Sequence, residues 1–212
     1  MTGSTLNMHY TIADPKTFGI SEYEPVLPIY HSGQPEDSKE HCSDLLHRLD
    51  RIDPDRLSPE NAYTYRLLHR SLENDLALAD FPYYNEPLSP SSGMQSQLPV
   101  LLAEYTFRTK RDVTDYLALL DQIDDYFASL LLYEQEKAAA GFFMPACSSE
   151  KVRKQCDTIV TTEELAQGTH FLQTTFEDRL SELQKQGLFT PEETASLIKT
   201  NAVSYTHLTL PT

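Results

Sequence analysis

The chain has 212 residues, a 40% hydrophobic fraction, 23% charged residues and a formal net charge of −15, so it is long enough to bury a sizeable core and too apolar for wholesale disorder. The acidic balance argues against nucleic acid and anionic membrane surfaces, both of which call for a basic face. Seven glycines against 12 tyrosines and 9 phenylalanines favour aromatic-packed helices over a turn-rich β fold.

Residues 1–35 hold Pro15, Pro25, Pro28 and Pro35 and show no helical periodicity, which predicts an extended arm with turns. A helix is expected from about Glu36 to Asp53, with Cys42, Leu45, Leu46, Leu49 and Ile52 on one face. Ser58 followed by Pro59 opens a second, because a hydroxyl cap and a proline at the first helical position suit the unbonded amides there. That helix ends before Pro82.

The stretch from Phe81 to Leu98 loses the pattern. Its prolines and Gly93 oppose regular helix, and its aromatics suggest an ordered loop. Gly93 to Gln97 is read as a short strand, which would set Gln95 and Gln97 on one face, and Pro99 then fits the first turn of a short helix. Thr109, with Asp112 three residues on, caps a long helix expected over Lys110–Ala140. Further helices are expected from Ser148 or Ser149 to Val160, over Glu163–Gln167 and Thr169–Gln186, and from the capping box Thr190-Pro-Glu-Glu193. The fold class is therefore mainly α, a multi-helix bundle or array with a Pro-rich arm and at most a short strand near 94–98.

Little chemistry is legible. None of the seven histidines is followed by glutamate, so H-E-x-x-H is absent. His41 and His47 fall on different helix faces, and His69 and His170 show no partner at metal-ligand spacing. No metal ligand and no catalytic residue can be named. Cys42, Cys147 and Cys156 have no C-x-x-C spacing and read as free thiols. There is no apolar run long enough to span a bilayer. The candidate contact residues are Ser91, Ser92, Gly93, Gln95 and Gln97, as a cleft wall whose edge strand would pair with an extended peptide; the plainer reading is a packed connecting loop.

Residues 203–212, Val-Ser-Tyr-Thr-His-Leu-Thr-Leu-Pro-Thr, match a reading frame of a sequencing-library transposon adapter and are set aside from functional argument. The chain is accordingly expected to be part of a longer protein, with residues 1–202 as the N-terminal helical part of a larger domain.

The segments LNMHYTIADPKTFGI (6–20), YYNEPLSPSSGMQSQLPVLLAEYTFRTKRDVTDYLALL (83–120), YEQEKAAAGFFMPACSSEKVRKQC (133–156) and THFLQTTFEDRL (169–180) resemble the bacterial family called domain of unknown function 885. That resemblance implies a helical zinc metallopeptidase-like parent whose H-E-x-x-H motif lies downstream of the matched segments. There, zinc-activated water would attack a peptide carbonyl with the motif glutamate as base. No cofactor is expected in this chain, zinc is expected in the parent, and the expected partners are the C-terminal catalytic half and a peptide substrate. The parent would be exported or lipid-anchored if an N-terminal signal precedes this sequence. A non-enzymatic helical binding or scaffold protein is the alternative.

Overall fold

The structure is a computed structural model and describes residues 4–30, 34–159 and 161–207. Its helices in chain order are α1 (Thr5–Thr11), α2 (Gln34–Leu49), α3 (Pro59–Leu78), α4 (Met94–Ala103), α5 (Lys110–Leu120), α6 (Ile123–Ala139), α7 (Ala146–Ile159), α8 (Thr162–Gln167), α9 (Phe171–Lys185) and α10 (Pro191–His207). Short 3-10 turns cover Pro15–Phe18, Pro54–Arg56 and Pro82–Tyr84. Among the described residues the fold is all-helical, with no strand.

Two compact units divide the chain. One comprises residues 1–29, 87–131 and 143–212, the other residues 30–86 and 132–142, so the division falls inside α6.

The larger unit is built on α4, α5 and α9. Val113, Tyr116 and Leu119 of α5 are fully buried with Leu98 and Leu102 of α4 and Phe176, Leu180 and Leu183 of α9. Each such side chain contributes about 1.5–3 kcal/mol by leaving water. Tyr116 stacks on Phe176 with centroids 5.5 Å apart, and Phe107 meets both edge-on at 5.4 and 5.5 Å, an arrangement the ring quadrupoles favour. The Arg179 guanidinium lies 4.5 Å over Phe107 and donates to the carbonyls of Leu102 (3.1 Å) and Tyr105. Those carbonyls lie at and just beyond the end of α4, where the Leu102 oxygen otherwise accepts only from the amides that follow the helix, so the arginine helps to close it.

The expected long helix over 110–140 is two helices. At the break, Gln122 Nε2 donates to the Ala118 and Pro25 carbonyls (2.9 and 2.8 Å), while its Oε1 accepts from the Leu27 amide (3.0 Å). Its side chain thus stands in for the main chain of a neighbouring strand. Val26 is held on both sides by Thr5: the Thr5 amide donates to the Val26 carbonyl, and the Val26 amide donates to Thr5 Oγ1. The arm is therefore extended over residues 20–30, as its prolines suggest, but its start is α1, capped by Ser4 Oγ.

His9 of α1 stacks on Tyr105 with centroids 3.8 Å apart and is 7% exposed. Its Nε2 donates to the Thr106 carbonyl at 2.8 Å, and its Nδ1 lies 3.9 Å from Asp112. Burial holds its pKa below the ordinary 6.5; Asp112, the Thr106 carbonyl and Asp115 oppose that, while Arg108 adds to it. The folded state therefore prefers the neutral ring. Stability from this group is fully present above pH 6.5 and is lost as pH falls from there towards the lowered folded value, because the unfolded chain takes the proton first. Denaturant titrations from pH 7.5 to 5 are expected to show a shallower acid loss for His9→Gln than for the native chain; equal slopes would contradict this account.

In the smaller unit α2 and α3 form a hairpin around Cys42, Leu49 and Leu72, with Leu45, Leu46, Tyr65 and Leu76 packed on them. Tyr133 donates to the carbonyls of Pro82 (2.8 Å) and Asn85 (3.1 Å). Lys137, its side chain 4% exposed, binds Glu86 at 2.6 Å and lies 3.8 Å from Glu134.

Candidate functional site

The loop after Glu86 turns back on itself before α4. The Met94 amide donates to the Pro87 carbonyl (2.9 Å), the Gly93 amide to the Ser89 carbonyl (3.0 Å) and the Ser92 amide to Ser89 Oγ (3.2 Å). Gly93 then caps α4 with φ −73° and ψ 153°, and its carbonyl accepts from the Ser96 and Gln97 amides, both at 3.0 Å. The expected strand at 94–98 is thus the first turn of a helix. Pro99 lies inside that helix rather than in its first turn. It removes one backbone bond, a loss set against the burial of Leu98 and Leu102 on either side.

This correction separates the two glutamines. Residues two apart on a helix point about 200° from each other, and Gln95 is 4% exposed while Gln97 is exposed. Ser91 and Ser92 are exposed as well. Gln95 Nε2 donates to the Ser89 carbonyl (2.7 Å) and to Gln155 Oε1 on α7 (2.9 Å), and Gln155 Nε2 donates to the Pro90 carbonyl (2.9 Å). The two amides lock the loop to α7. Glycine is required at 93 for space: a Cβ there would strike the Ser89 main chain and Gln95 Oε1.

Gln155 is the residue that sequence reasoning missed, and nothing local marks it in Lys151-Val-Arg-Lys-Gln-Cys156. It fixes the wall of a cleft of about 380 Å³, lined by Ser96, Gln155, Thr158, Ile159, Glu164, His170 and Phe171, a volume in the range of small-ligand pockets. Of the sequence candidates, Gln95 supports this wall from behind, while Ser91, Ser92, Gly93 and Gln97 are not among the residues lining it.

His170 has no ring nitrogen to offer. Nε2 donates to the Ile159 carbonyl (2.9 Å), and Nδ1 accepts from the Leu172 amide (3.4 Å), capping α9. His69 does have acidic neighbours, contrary to the sequence reading: Glu73 at 3.5 Å, one helical turn on, and Asp50 at 3.2 Å, which is 19 residues away and not legible from spacing. Still, among the described residues no three His, Cys, Asp or Glu side chains form a group that could hold a metal ion.

A family model described as "Bacterial protein of unknown function (DUF885)" matches residues 16–203. The fold is similar to the crystal structure of a "putative lipoprotein" from Colwellia psychrerythraea, with TM-score 0.69 and 16% sequence identity. The match covers 95% of this chain and 35% of that one, so the chain spans about a third of the length of its structural relative. At that identity the likeness is one of fold. No curated protein matches the sequence.

Proposed function

The chain belongs to the bacterial family DUF885, and from that membership we propose that it is the N-terminal helical part of a zinc-dependent metallopeptidase-like protein, forming one wall of its substrate cleft. The observation that carries this reading is the coverage: nearly all of this chain superposes on 35% of a larger one, which leaves most of a parent of that size to hold the chemistry. The locked wall of Gln95 and Gln155 supports a role in placing substrate, since positioning alone can supply a large share of rate enhancement.

The residues present do not fit zinc, because no metal-binding group exists among those described. Zinc would belong to residues beyond 1–202, held with an H-E-x-x-H motif, and no chemical step is assigned to this chain. The C-terminal catalytic half and a peptide are the proposed partners. The described helices include none long and apolar enough to cross a membrane. Export or lipid anchoring of the parent is proposed by analogy with the "putative lipoprotein". Residues 203–212 are proposed to be foreign to the family fold; of them only residue 203 falls within the family match.

A second reading, a non-enzymatic binding protein, draws on the exposed rings of Phe81 and Tyr84, which contact each other at 5.4 Å. The full-length gene decides between the two. Its product is expected to carry H-E-x-x-H with a later glutamate ligand, to retain zinc and to cleave peptides. The chain of residues 1–212 alone is expected to do neither. A full-length protein without that motif, or stoichiometric zinc and turnover in the short chain, would overturn the proposal.

A further inference from the structure

The polar atoms lining the 380 Å³ cleft share one property: nearly all their hydrogens are already spent. Ser96 Oγ donates to the Gly93 carbonyl at 2.9 Å, and Thr158 Oγ1 to the carbonyls of Lys154 and Gln155 at 3.0 and 3.2 Å. A hydroxyl whose hydrogen is so used offers only lone pairs. His170 Nε2–H is taken by the Ile159 carbonyl, and three amides in the first turn of α9 are taken by His170 itself: Leu172 by Nδ1, Gln173 and Thr174 by its carbonyl. The positive end of that helix is thereby blunted. One hydrogen of Gln155 Nε2 goes to Pro90, so among the described lining residues its second is the one side-chain donor left.

Acceptors, by contrast, are plentiful. Among the described residues Glu164 is the only charged one in the lining, and no Lys or Arg joins it. One of its oxygens accepts from Thr161 Oγ1 at 2.6 Å. Thr158 and Ile159 also sit in the last turn of α7, the partially negative end of that helix. Beside these polar groups lie the Ile159 side chain and the Phe171 ring, 39% exposed. An acceptor-rich, negatively charged cleft with an apolar wall matches a ligand that donates at its tip and is apolar along its length.

We propose that this cleft is a subsite for a lysine or arginine side chain of a bound peptide. Its methylene stem lies along Ile159 and Phe171, and its cationic head sits among Glu164, Ser96 and Thr158. This rests on the reading of the chain as a wall of a peptide cleft, and assigns that wall a preference for basic residues. The same molecule shows such a pairing elsewhere: Arg179 lays its guanidinium over Phe107 and gives its hydrogens to main-chain carbonyls.

The test needs neither zinc nor turnover, so its outcome is separable from that of the peptidase proposal. The 212-residue chain, labelled with nitrogen-15, is titrated with Nα-acetyl-lysine amide, and in parallel with Nα-acetyl-norleucine amide and Nα-acetyl-glutamate amide. Saturable shifts are expected at Ser96, Gln155, Thr158 and Phe171 with the lysine amide. Binding should be about fivefold weaker for norleucine, the scale of one partly exposed ion pair, and absent for glutamate. Glu164→Gln should reduce lysine binding to the norleucine level. Should that variant fail to fold, nuclear Overhauser contacts from the lysine ε-methylene to the Phe171 ring in the native chain supply the same information. Equal binding of norleucine, preference for glutamate, no saturation, or lysine contacts away from Phe171 would each overturn the assignment.

Discussion

Gly93→Ala is expected to destabilise the larger unit by about 3 kcal/mol, the upper range for forcing an atom into packed space, and to lower Tm by roughly 6–12 °C for a chain of this size. The backbone angles at 93 suit alanine, so conformation is not the obstacle. The obstacle is that a Cβ would lie 2.6 Å from the Ser89 carbonyl oxygen and closer still to the Ser89 nitrogen and Gln95 Oε1. A side-chain amide can swing away, but main chain held by the Gly93 and Gln95 bonds to Ser89 cannot do so cheaply. Adding Gln95→Ala to the variant should therefore restore little. It would also leave the Gln155 Oε1 it served without its donor, at a further cost of about 1–2 kcal/mol. Thermal melts by circular dichroism measure both, and a single variant melting within about 2 °C of the native chain would show the loop to be compliant.

Lys137→Met is expected to cost the smaller unit about 2–4 kcal/mol. Methionine preserves the apolar stem, so the loss falls on the charge. Removing one member of a buried pair leaves the other uncompensated, typically at 3–5 kcal/mol. Here Glu86 and Glu134 keep 33% and 25% side-chain exposure, and solvent screening reduces the figure. Burial already pushes the Glu134 carboxyl above its ordinary value, with Lys137 pulling it down and Glu86 pushing it further up. Without the lysine, the Glu134 carboxyl should titrate higher still in the folded state. A raised carboxyl is a liability above its folded pKa and is relieved as it takes a proton. The stability gap between variant and native chain should therefore narrow as pH falls from 7 towards 4. A gap constant across that range would mean that lost packing, rather than unpaired charge, carries the effect.

The helices that announce themselves in the sequence do so through local chemistry. Thr109 and Asp112 exchange the two bonds of a capping box, and Ser58 with Pro59 opens α3. The α2–α3 stripe places Cys42, Leu45, Leu46, Leu49 and Leu72 together as its spacing implies. What escapes the sequence depends on distant partners. The break between α5 and α6 is made by Gln122 reaching residues 25 and 27, and the apolar period runs through it undisturbed. α1 is only seven residues long, too short for a periodic stripe, and is held by packing and by its Ser4 cap. At the candidate site the sequence suggests a strand geometry for Gln95 that the structure does not have. A strand would have displayed it, whereas the helix buries it against Gln155, 60 residues away.

The hold of Gln122 on the arm has a genetic consequence. Its two bonds, like those of Thr5, reach the main chain of Pro25, Val26 and Leu27, and main chain is what every substitution leaves behind. Glu24 and Val26 are therefore free to drift between lineages without loosening the arm, while selection should act on Leu27, whose side chain is buried, and on the amide at 122. Coupled change, where it occurs, should link position 122 to the length of the arm and not to its spelling: a one-residue deletion between 5 and 27 would be costlier than several replacements there.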